Sequence, residues 1–470
     1  MDIYIMFAAA IIAVFLVVYM LIKKMDIKIT LFAIGIILMY IAILMGKGID
    51  IKDFTSTGAA FLDPLKATAD IFKQTLSSSG FIILILGGYS AYMSKIGSND
   101  VTVNVLTNPI SKIKSIYILV PIVFLLGNLL SLVIPSASNL AIILLATLFP
   151  VLKKAGMSTL TAAAIIATTA TVMPTPLGSD NVAIAQELAK YQQYAGLTVT
   201  DYVLKYHAMV SIPTLGFMAG LHYFWQKFMD KKDGKIVGKE KEKIDIKDAK
   251  EIQGSVLFKT VYALLPLLPI LLLIIVYFTG LEITLSVEIA SILSFIIAII
   301  CELIRNKGNK KVLSDTEGFF KGMASALPIV ALLVAASVFV LGLKSIGLIN
   351  TLQTAMVSTK GTGMGILLPL ILVILSVLIV MLSGSGTALF FAMIPLVVPL
   401  AEAAGISAMA ISVPMGLAGN LMRAVSPVAA VTVIVAASVN KTPLEIVKRT
   451  SVPMIGGVIF MFILSMILFL

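Results

Sequence analysis

Four short runs carry the residues in this sequence that could do chemistry. Two are polar, proline-marked interruptions of apolar stretches, residues 174–181 (PTPLGSDN) and 420–427 (NLMRAVSP); two are small turn-forming runs, 135–139 (PSASN) and 383–387 (SGSGT). Proline lacks a backbone donor and clashes with the preceding turn, so a helix entering either of the first two must unwind or kink. Backbone groups freed at membrane depth are tolerated where they are buried in protein or line a wet cavity. Half-helix N-termini offer partial positive charge to an anion, and hydroxyls and carbonyls can ligate a small cation. The residues expected to line such a site are Ser136, Ser138, Asn139, Thr175, Gly178, Ser383, Gly384, Ser385, Gly386, Thr387, Asn420, Arg423 and Ser426.

Arg423 is an arginine inside an apolar span, where an unpaired charge costs several kcal/mol. Its planar fork suits a carboxylate; the structural alternatives are an ion pair or snorkelling to the surface. Asp180 is the complementary acid. It could hold sodium, carry a proton or pair with Arg423, with Ser179 and Asn139 as neighbours for a coupling ion and Ser136, Asn139 and Asp180 as a sodium site. The serine, threonine and asparagine side chains are weak signals singly, because hydroxyls often bond back to their own helix. Gly384 and Gly386 would permit a sharp turn or close approach of a ligand, or else close helix packing.

The elements that must position these residues are membrane helices. Of 470 residues, 59% are hydrophobic and 13% charged, with mean hydropathy +1.06, which excludes an ordinary soluble domain. Apolar stretches of about 20 residues recur without the alternation of barrel strands. Spans are predicted over 2–22, 27–46, 79–95, 157–190, 205–226, 255–280, 286–304, 320–343, 406–440 and 451–470. The first is read as a retained helix, since Asp2 stands where a signal peptide carries cations and no clear small-residue cleavage site follows.

The net charge of +11 lies mostly at span ends: Lys23 and Lys24, Lys112 and Lys114, Lys153 and Lys154, 227–250, 305–311, and Lys441, Lys448 and Arg449. These should face the cytoplasm. The stretches 115–152 and 362–404 are each interrupted midway. Charge parity allows either two crossings or a re-entrant hairpin, and the short uncharged tip at Pro135 favours re-entry. Residues 227–254 form a charged cytoplasmic linker, whose interleaved acids argue against a nucleic-acid arm. It separates an N-terminal half, 1–226, with hairpin 115–152 and broken helix 157–190, from a C-terminal half, 255–470, with hairpin 362–404 and broken helix 406–440.

The halves resemble one another at a spacing of about 250 residues. Residues 94–97 (SKIG) match 344–347 (KSIG); Ser136, Pro150, Gly156 and Ser158 match Ser385, Pro399, Gly405 and Ser407; Thr175 and Pro176 match Ser426 and Pro427. Counting crossings puts Lys153 inside and its counterpart near Glu402 outside, so an inverted-topology repeat is expected. The fold class is therefore an all-α polytopic membrane protein with two inverted repeats, each holding a hairpin and a broken helix. Transporters use that arrangement to alternate access; a duplicated scaffold without transport is the plainer alternative.

Other chemistry finds little footing. His207 and His222 lie near or within one span with no cluster in metal-binding spacing, and ordinary interfacial roles are expected for them. No histidine is placed by sequence to activate Ser385, and no phosphate-binding loop appears. Cys301 is the single cysteine, so no intrachain disulfide is possible. A cation and proton antiporter and a passive channel remain compatible with the architecture.

At these same residues the chain resembles the DcuC family of anaerobic four-carbon dicarboxylate carriers, within the ion-transporter superfamily. The likeness is carried by GGYSAYMSKIGSND from Gly87, LLATLFPVLKKAGMS from Leu144, HYFWQKFMDKK from His222, SGSG from Ser383, GNLMRAVSPVAAVTVIVAAS from Gly419 and TPLEIVKRTSVP after it. The resemblance covers nearly the whole chain. It implies exchange or efflux of succinate, fumarate, malate or aspartate across the inner membrane with no organic cofactor; sodium or a proton as coupling ion is the expectation drawn from Asp180. It also implies a scaffold domain that can mediate a homodimer. PTPLGSDNVAIAQ and SGSGTALFFAM depart from the family pattern at expected site positions, which leaves another small carboxylate or an amino acid open as substrate.

Overall fold

The computed structural model describes residues 2–23, 25–51, 54–107, 110, 113, 115–169, 172–234, 255–280, 283–348, 351 and 364–470. Lys24, Lys112 and Lys114, the linker from 235 to 254 and the first residues expected for the second hairpin lie outside them. Among the described residues there is no strand. In the first half the helices are α1 (Asp2–Ile22), α2 (Ile27–Leu44), α3 (Asp63–Thr75), α4 (Phe81–Lys95), α5 (Ser98–Thr107), α6 (Ile116–Leu130), α7 (Ala137–Lys154), α8 (Thr159–Ala167), α9 (Ser179–Leu188), α10 (Val199–Tyr202) and α11 (Ala208–Lys232). The second half holds α12 (Val256–Leu264), α13 (Leu268–Thr279), α14 (Val287–Arg305), α15 (Lys311–Asp315), α16 (Glu317–Ser345), α17 (Leu367–Ser383), α18 (Ala388–Met393), α19 (Val397–Ala404), α20 (Met409–Met422), α21 (Ala430–Ser438) and α22 (Pro443–Phe469). Seven helical stretches among the described residues are long and apolar enough to cross a bilayer.

Some predicted boundaries differ, among them the start of the last span, expected at 451 and found at Pro443. The span expected over 79–95 begins earlier, because α3 runs into α4 through a π-turn at Leu76–Gly80, where Ser78 leaves helical geometry at φ −98, ψ −110. Low apolarity hid α3, as it hid the short polar α5. The linker was expected to start at 227, but α11 continues to Lys232. Its last turn is held by Asp230 and Asp233, both paired with Arg449.

Glycine sets the scaffold. α16 packs against α2 and α4. A Cβ on Gly35 would lie 2.6 Å from the α16 backbone at Val338 and Phe339, and one on Gly322 would lie 2.5 Å from the Gly87 carbonyl. With no water to squeeze out between helices in lipid, such close backbone approach supplies the dispersion that joins them.

In each half a long helix, α4 or α16, ends before a left-handed glycine, Gly97 or Gly347. A helical hairpin follows, α6–α7 or α17 to α19, closed by Gly156 or Gly405, again at positive φ. Then comes a helix in two pieces: α8 and α9 with residues 168–178 between them, or α20 and α21 with 423–429 between them. The α6 arm has 15 residues and α17 has 17, about 22–26 Å at 1.5 Å per residue against roughly 30 Å of hydrocarbon. At 9 and 10 residues, α8 and α9 are each about half a crossing.

The starts of α8 and α20 are held by different parts of the chain. The start of α8 lies beside the C-terminal end of α11, where the Ser158 hydroxyl donates to Asp230 Oδ1 at 2.8 Å. The start of α20 lies beside residues that precede α10 and α11: the Ala408 amide donates to Tyr194 Oη at 3.2 Å, and Gln193 Nε2 donates to Glu402 Oε1 at 3.5 Å.

Candidate functional site

The first break is shaped by its own side chains. The Thr175 hydroxyl accepts from the Leu177 amide at 3.1 Å, and the Thr175 carbonyl accepts from Asn181 Nδ2 at 3.0 Å. Gly178 is the N-cap of α9 and leaves room for the acid beside it, since a Cβ there would meet Asp180 Oδ1 at 2.7 Å. Asp180 sits in the first turn of α9, where the unpaired amides of a helix start favour negative charge.

The second break pairs its exposed carbonyls with hydroxyls. The Arg423 carbonyl accepts from Thr432 Oγ1 at 3.3 Å, and the Ala424 carbonyl accepts from Thr450 Oγ1 at 2.7 Å. Arg423 follows the last residue of α20, a helix end whose carbonyls favour a cation. Its Nε donates to the Asn420 carbonyl at 3.4 Å, and its guanidinium is in electrostatic contact with Asp180.

Each hairpin is tied to the break of its own half. Asn128 of α6 donates to the Phe124 carbonyl at 2.9 Å and the Thr168 carbonyl at 3.4 Å, while Gly127 lets Thr169 approach so closely that a Cβ would lie 2.2 Å from its methyl. In the other half the Ser426 hydroxyl donates to the Met381 carbonyl at 3.3 Å. A Cβ on Gly386 would stand 2.2 Å from the Gly419 carbonyl, and one on Gly419 would stand 2.0 Å from the Gly386 carbonyl. Gly384 turns the chain at φ +73.

Both tips and both breaks converge on one cavity of about 100 Å³, on the scale of a few waters or a small solute. Of the residues expected at the site, Thr175, Gly178, Ser179, Asp180, Thr387, Asn420 and Arg423 line it. Across it, Asn420 Nδ2 donates to Asp180 Oδ2 at 3.0 Å and joins the two broken helices.

The other expected residues lie beside the cavity rather than in its wall. Ser136 and Asn139 are exposed, with the Ser136 hydroxyl accepting from the Asn139 amide at 3.4 Å as the N-cap of α7, and Ser138 is half-buried. Ser383 donates to the Ile379 carbonyl at 2.7 Å and accepts from the Ser385 amide at 3.1 Å. Gly384, Gly386 and Ser426 shape the contact between the second tip and the second break. From the first tip it is Ser131 and Pro135 that reach the cavity.

His207 also lines the cavity, and the expectation of an interfacial role for it does not hold. It ends a π-turn, Val203–His207, that widens the helix just before α11. The residue is 6% exposed, and its buried Nδ1 has no hydrogen-bond partner among the described residues. His222 is likewise buried, 4.8 Å from the Phe124 ring, with its Nδ1 3.4 Å from Gln226 Nε2.

A second polar cluster lies at the end of α11. Arg449, expected at the water surface with Lys448, is 1% exposed and forms ion pairs with Asp230 at 2.7 Å and Asp233 at 2.6 Å. Asp230 also accepts from Ser158 and Thr161, and Gln226 Nε2 donates to the Arg449 carbonyl at 2.8 Å. Neighbours in sequence on a helix point about 100° apart, so Lys448 faces out while Arg449 faces in.

The profile of the family described as DcuC, C4-dicarboxylate anaerobic carrier, matches residues 6–470. The anaerobic C4-dicarboxylate transporter DcuC of Escherichia coli O6:H1 is 35% identical over 435 residues, 92% of this chain and 90% of that protein. The probable anaerobic C4-dicarboxylate transporter DcuC of Vibrio cholerae is 35% identical over 458 residues, 97% and 96% of the two chains. Among solved structures, the YdaH transporter of Alcanivorax borkumensis shares the fold at a TM-score of 0.67 and 16% identity, over 94% of this chain and 98% of that one. MtrF of Neisseria gonorrhoeae shares it at 0.63 and 14%, over 94% of each chain.

Proposed function

This chain belongs to the DcuC family of C4-dicarboxylate anaerobic carriers, and from that membership we propose that it exchanges or exports succinate, fumarate or malate across the inner membrane by alternating access. The protein is a multi-pass membrane transporter. The observation that carries the substrate reading is the cavity wall, where Arg423 and Asp180 face one another between two helix interruptions. A dicarboxylate entering there meets a cation with a planar fork, the amides at the start of α9 and the amide and hydroxyl groups of Asn420 and Thr387. Asp180, already holding Asn420, keeps negative charge in the site so that the arginine is compensated when no substrate is bound. The coupling ion, sodium or a proton, belongs with this charge balance.

Alternation needs two units of opposite orientation. Support comes from the starts of the two broken helices, which are held at separate places: α8 begins beside Asp230 at the end of α11, and α20 begins beside Tyr194, which precedes α10. The glycine-packed group of α2, α4 and α16 is the part that would stay fixed.

The test is counterflow. Purified protein in liposomes preloaded with unlabelled succinate should accumulate external labelled fumarate transiently, with saturation, and Arg423→Ala should reduce this to the level of empty liposomes. Wild-type protein that shows no counterflow with any C4 acid would sink the reading.

A further inference from the structure

His207 is a titratable group in the transport cavity that the function described above does not yet use. Two independent features mark it. It lines the same cavity as Asp180, Asn420 and Arg423, and it is nine-tenths buried with no hydrogen-bond partner for Nδ1 among the described residues. A buried polar atom without a hydrogen bond is costly, and in a native structure it calls for an explanation such as a catalytic role or a bound water or ion. The local backbone is also unusual. A π-turn puts one extra residue into the helix, and such turns gather at functional positions.

The surrounding charges leave the imidazole to interact with the cavity. On its own turn and on α10, Lys205 and Asp201 pair with each other at 2.7 Å. Tyr202 reaches Ser412 of α20 at 3.4 Å, and Tyr206 packs its ring against Tyr202 and Phe469. α20 contains no titratable residue. Facing the ring across the cavity are Asp180, with which it interacts electrostatically, and Arg423.

We propose that His207 is the proton-binding residue of the transport site, protonated as a C4-dicarboxylate enters and deprotonated as it leaves. The proposal rests on the dicarboxylate reading above. In the empty site the negative charge of Asp180 is matched by Arg423. A dianion adds two negative charges and one cation cannot balance both, and an added anion favours the charged form of a neighbouring imidazole. The proton comes from water on the open side, bonds to an imidazole nitrogen, and returns to water on the other side when the substrate departs. Each dianion thus crosses with one proton, and the cargo carries one net negative charge instead of two.

The experiment uses the full-length protein in detergent and fumarate, whose carboxyls are both ionised from about pH 6 upward, across the range where histidine changes charge. Calorimetric titrations in buffers of different ionisation enthalpy count the protons taken up per fumarate bound. Wild-type protein should take up close to one near neutral pH, and its fumarate affinity should fall about tenfold per pH unit as the solution becomes more alkaline. His207→Gln, which keeps an amide in the ring's place, should take up none and bind with a flat pH profile. Uptake that persists unchanged in His207→Gln moves the proton to another group and overturns the proposal. Should that variant not fold, His207→Asn is measured in its place under the same criterion, and a wild-type count of zero overturns the proposal on its own. Wild-type protein that binds no fumarate at any pH overturns the dicarboxylate reading itself, and this one with it.

Discussion

Asn420 Nδ2 donates to Asp180 Oδ2 at 3.0 Å, so two helices interrupted 240 residues apart are joined by one hydrogen bond at the centre of the cavity. A bond to a charged acceptor is worth about 1.5–3 kcal/mol. It also orients the carboxylate, whose other oxygen accepts from the Asn181 amide at 3.0 Å. Asn420→Ala should therefore slow fumarate counterflow about tenfold or more, while Asn420→Asp, which sets two acids face to face, should abolish it. Wild-type counterflow in Asn420→Ala would show that the link is incidental.

Arg423→Lys tests the fork rather than the charge. Lysine keeps the cation that balances Asp180 but presents a point charge where arginine presents a planar pair of donors. Protein yield and melting temperature should stay near wild type, and the apparent affinity for fumarate should weaken about tenfold to hundredfold, the loss of one charge-assisted hydrogen bond. Saturation curves in proteoliposomes check this. An unchanged half-saturation would remove direct carboxylate contact from the role of Arg423.

The placement of these residues was largely legible in the sequence, because prolines and glycines act on their own backbone. Pro174, Pro176 and Pro427 fall inside the observed breaks, and Gly384 turns the second tip at φ +73. Side-chain destinations were less legible. Ser136 and Asn139 read as site residues by type, yet Ser136 caps α7 by accepting from the Asn139 amide, and Ser131 five residues earlier reaches the cavity. His207 had no partner within helical spacing, since its neighbours across the cavity come from 27 residues before it and 216 after it. Arg449 looked like one more basic residue at a span end, because its partners Asp230 and Asp233 belong to a stretch that reads as linker.

Gly386 and Gly419 should tolerate no side chain. A methyl group on either would lie 2.2 Å or 2.0 Å from the other's carbonyl oxygen, and overpacking of this kind costs about 1–3 kcal/mol or is relieved by backbone shifts. Because the contact joins the second tip to α20, the shift would move Thr387 and Arg423 relative to each other. Gly386→Ala and Gly419→Ala should lose most counterflow with a modest fall in melting temperature. Gly220→Ala, where nothing lies within 4 Å of the new Cβ, is the control and should behave as wild type.

The Arg449 cluster should matter for stability more than any other ion pair described here. Arg449 and Asp230 are each 1% exposed in their side chains, and removing one partner of a buried pair strands the other, at about 3–5 kcal/mol. Three elements depend on it: α22 through Arg449, the end of α11 through Asp230, and the start of α8 through Ser158 and Thr161. Arg449→Met and Asp230→Leu should each lower the melting temperature in detergent sharply, whereas the double variant should recover much of the loss, because an apolar pair leaves no uncompensated charge. Asp233 is one-third exposed on its side chain, so Asp233→Asn should cost less than Asp230→Asn. A double variant as unstable as the sum of the singles would mean that the two residues act separately, and that the start of α8 is held by its hydroxyls without the ion pair.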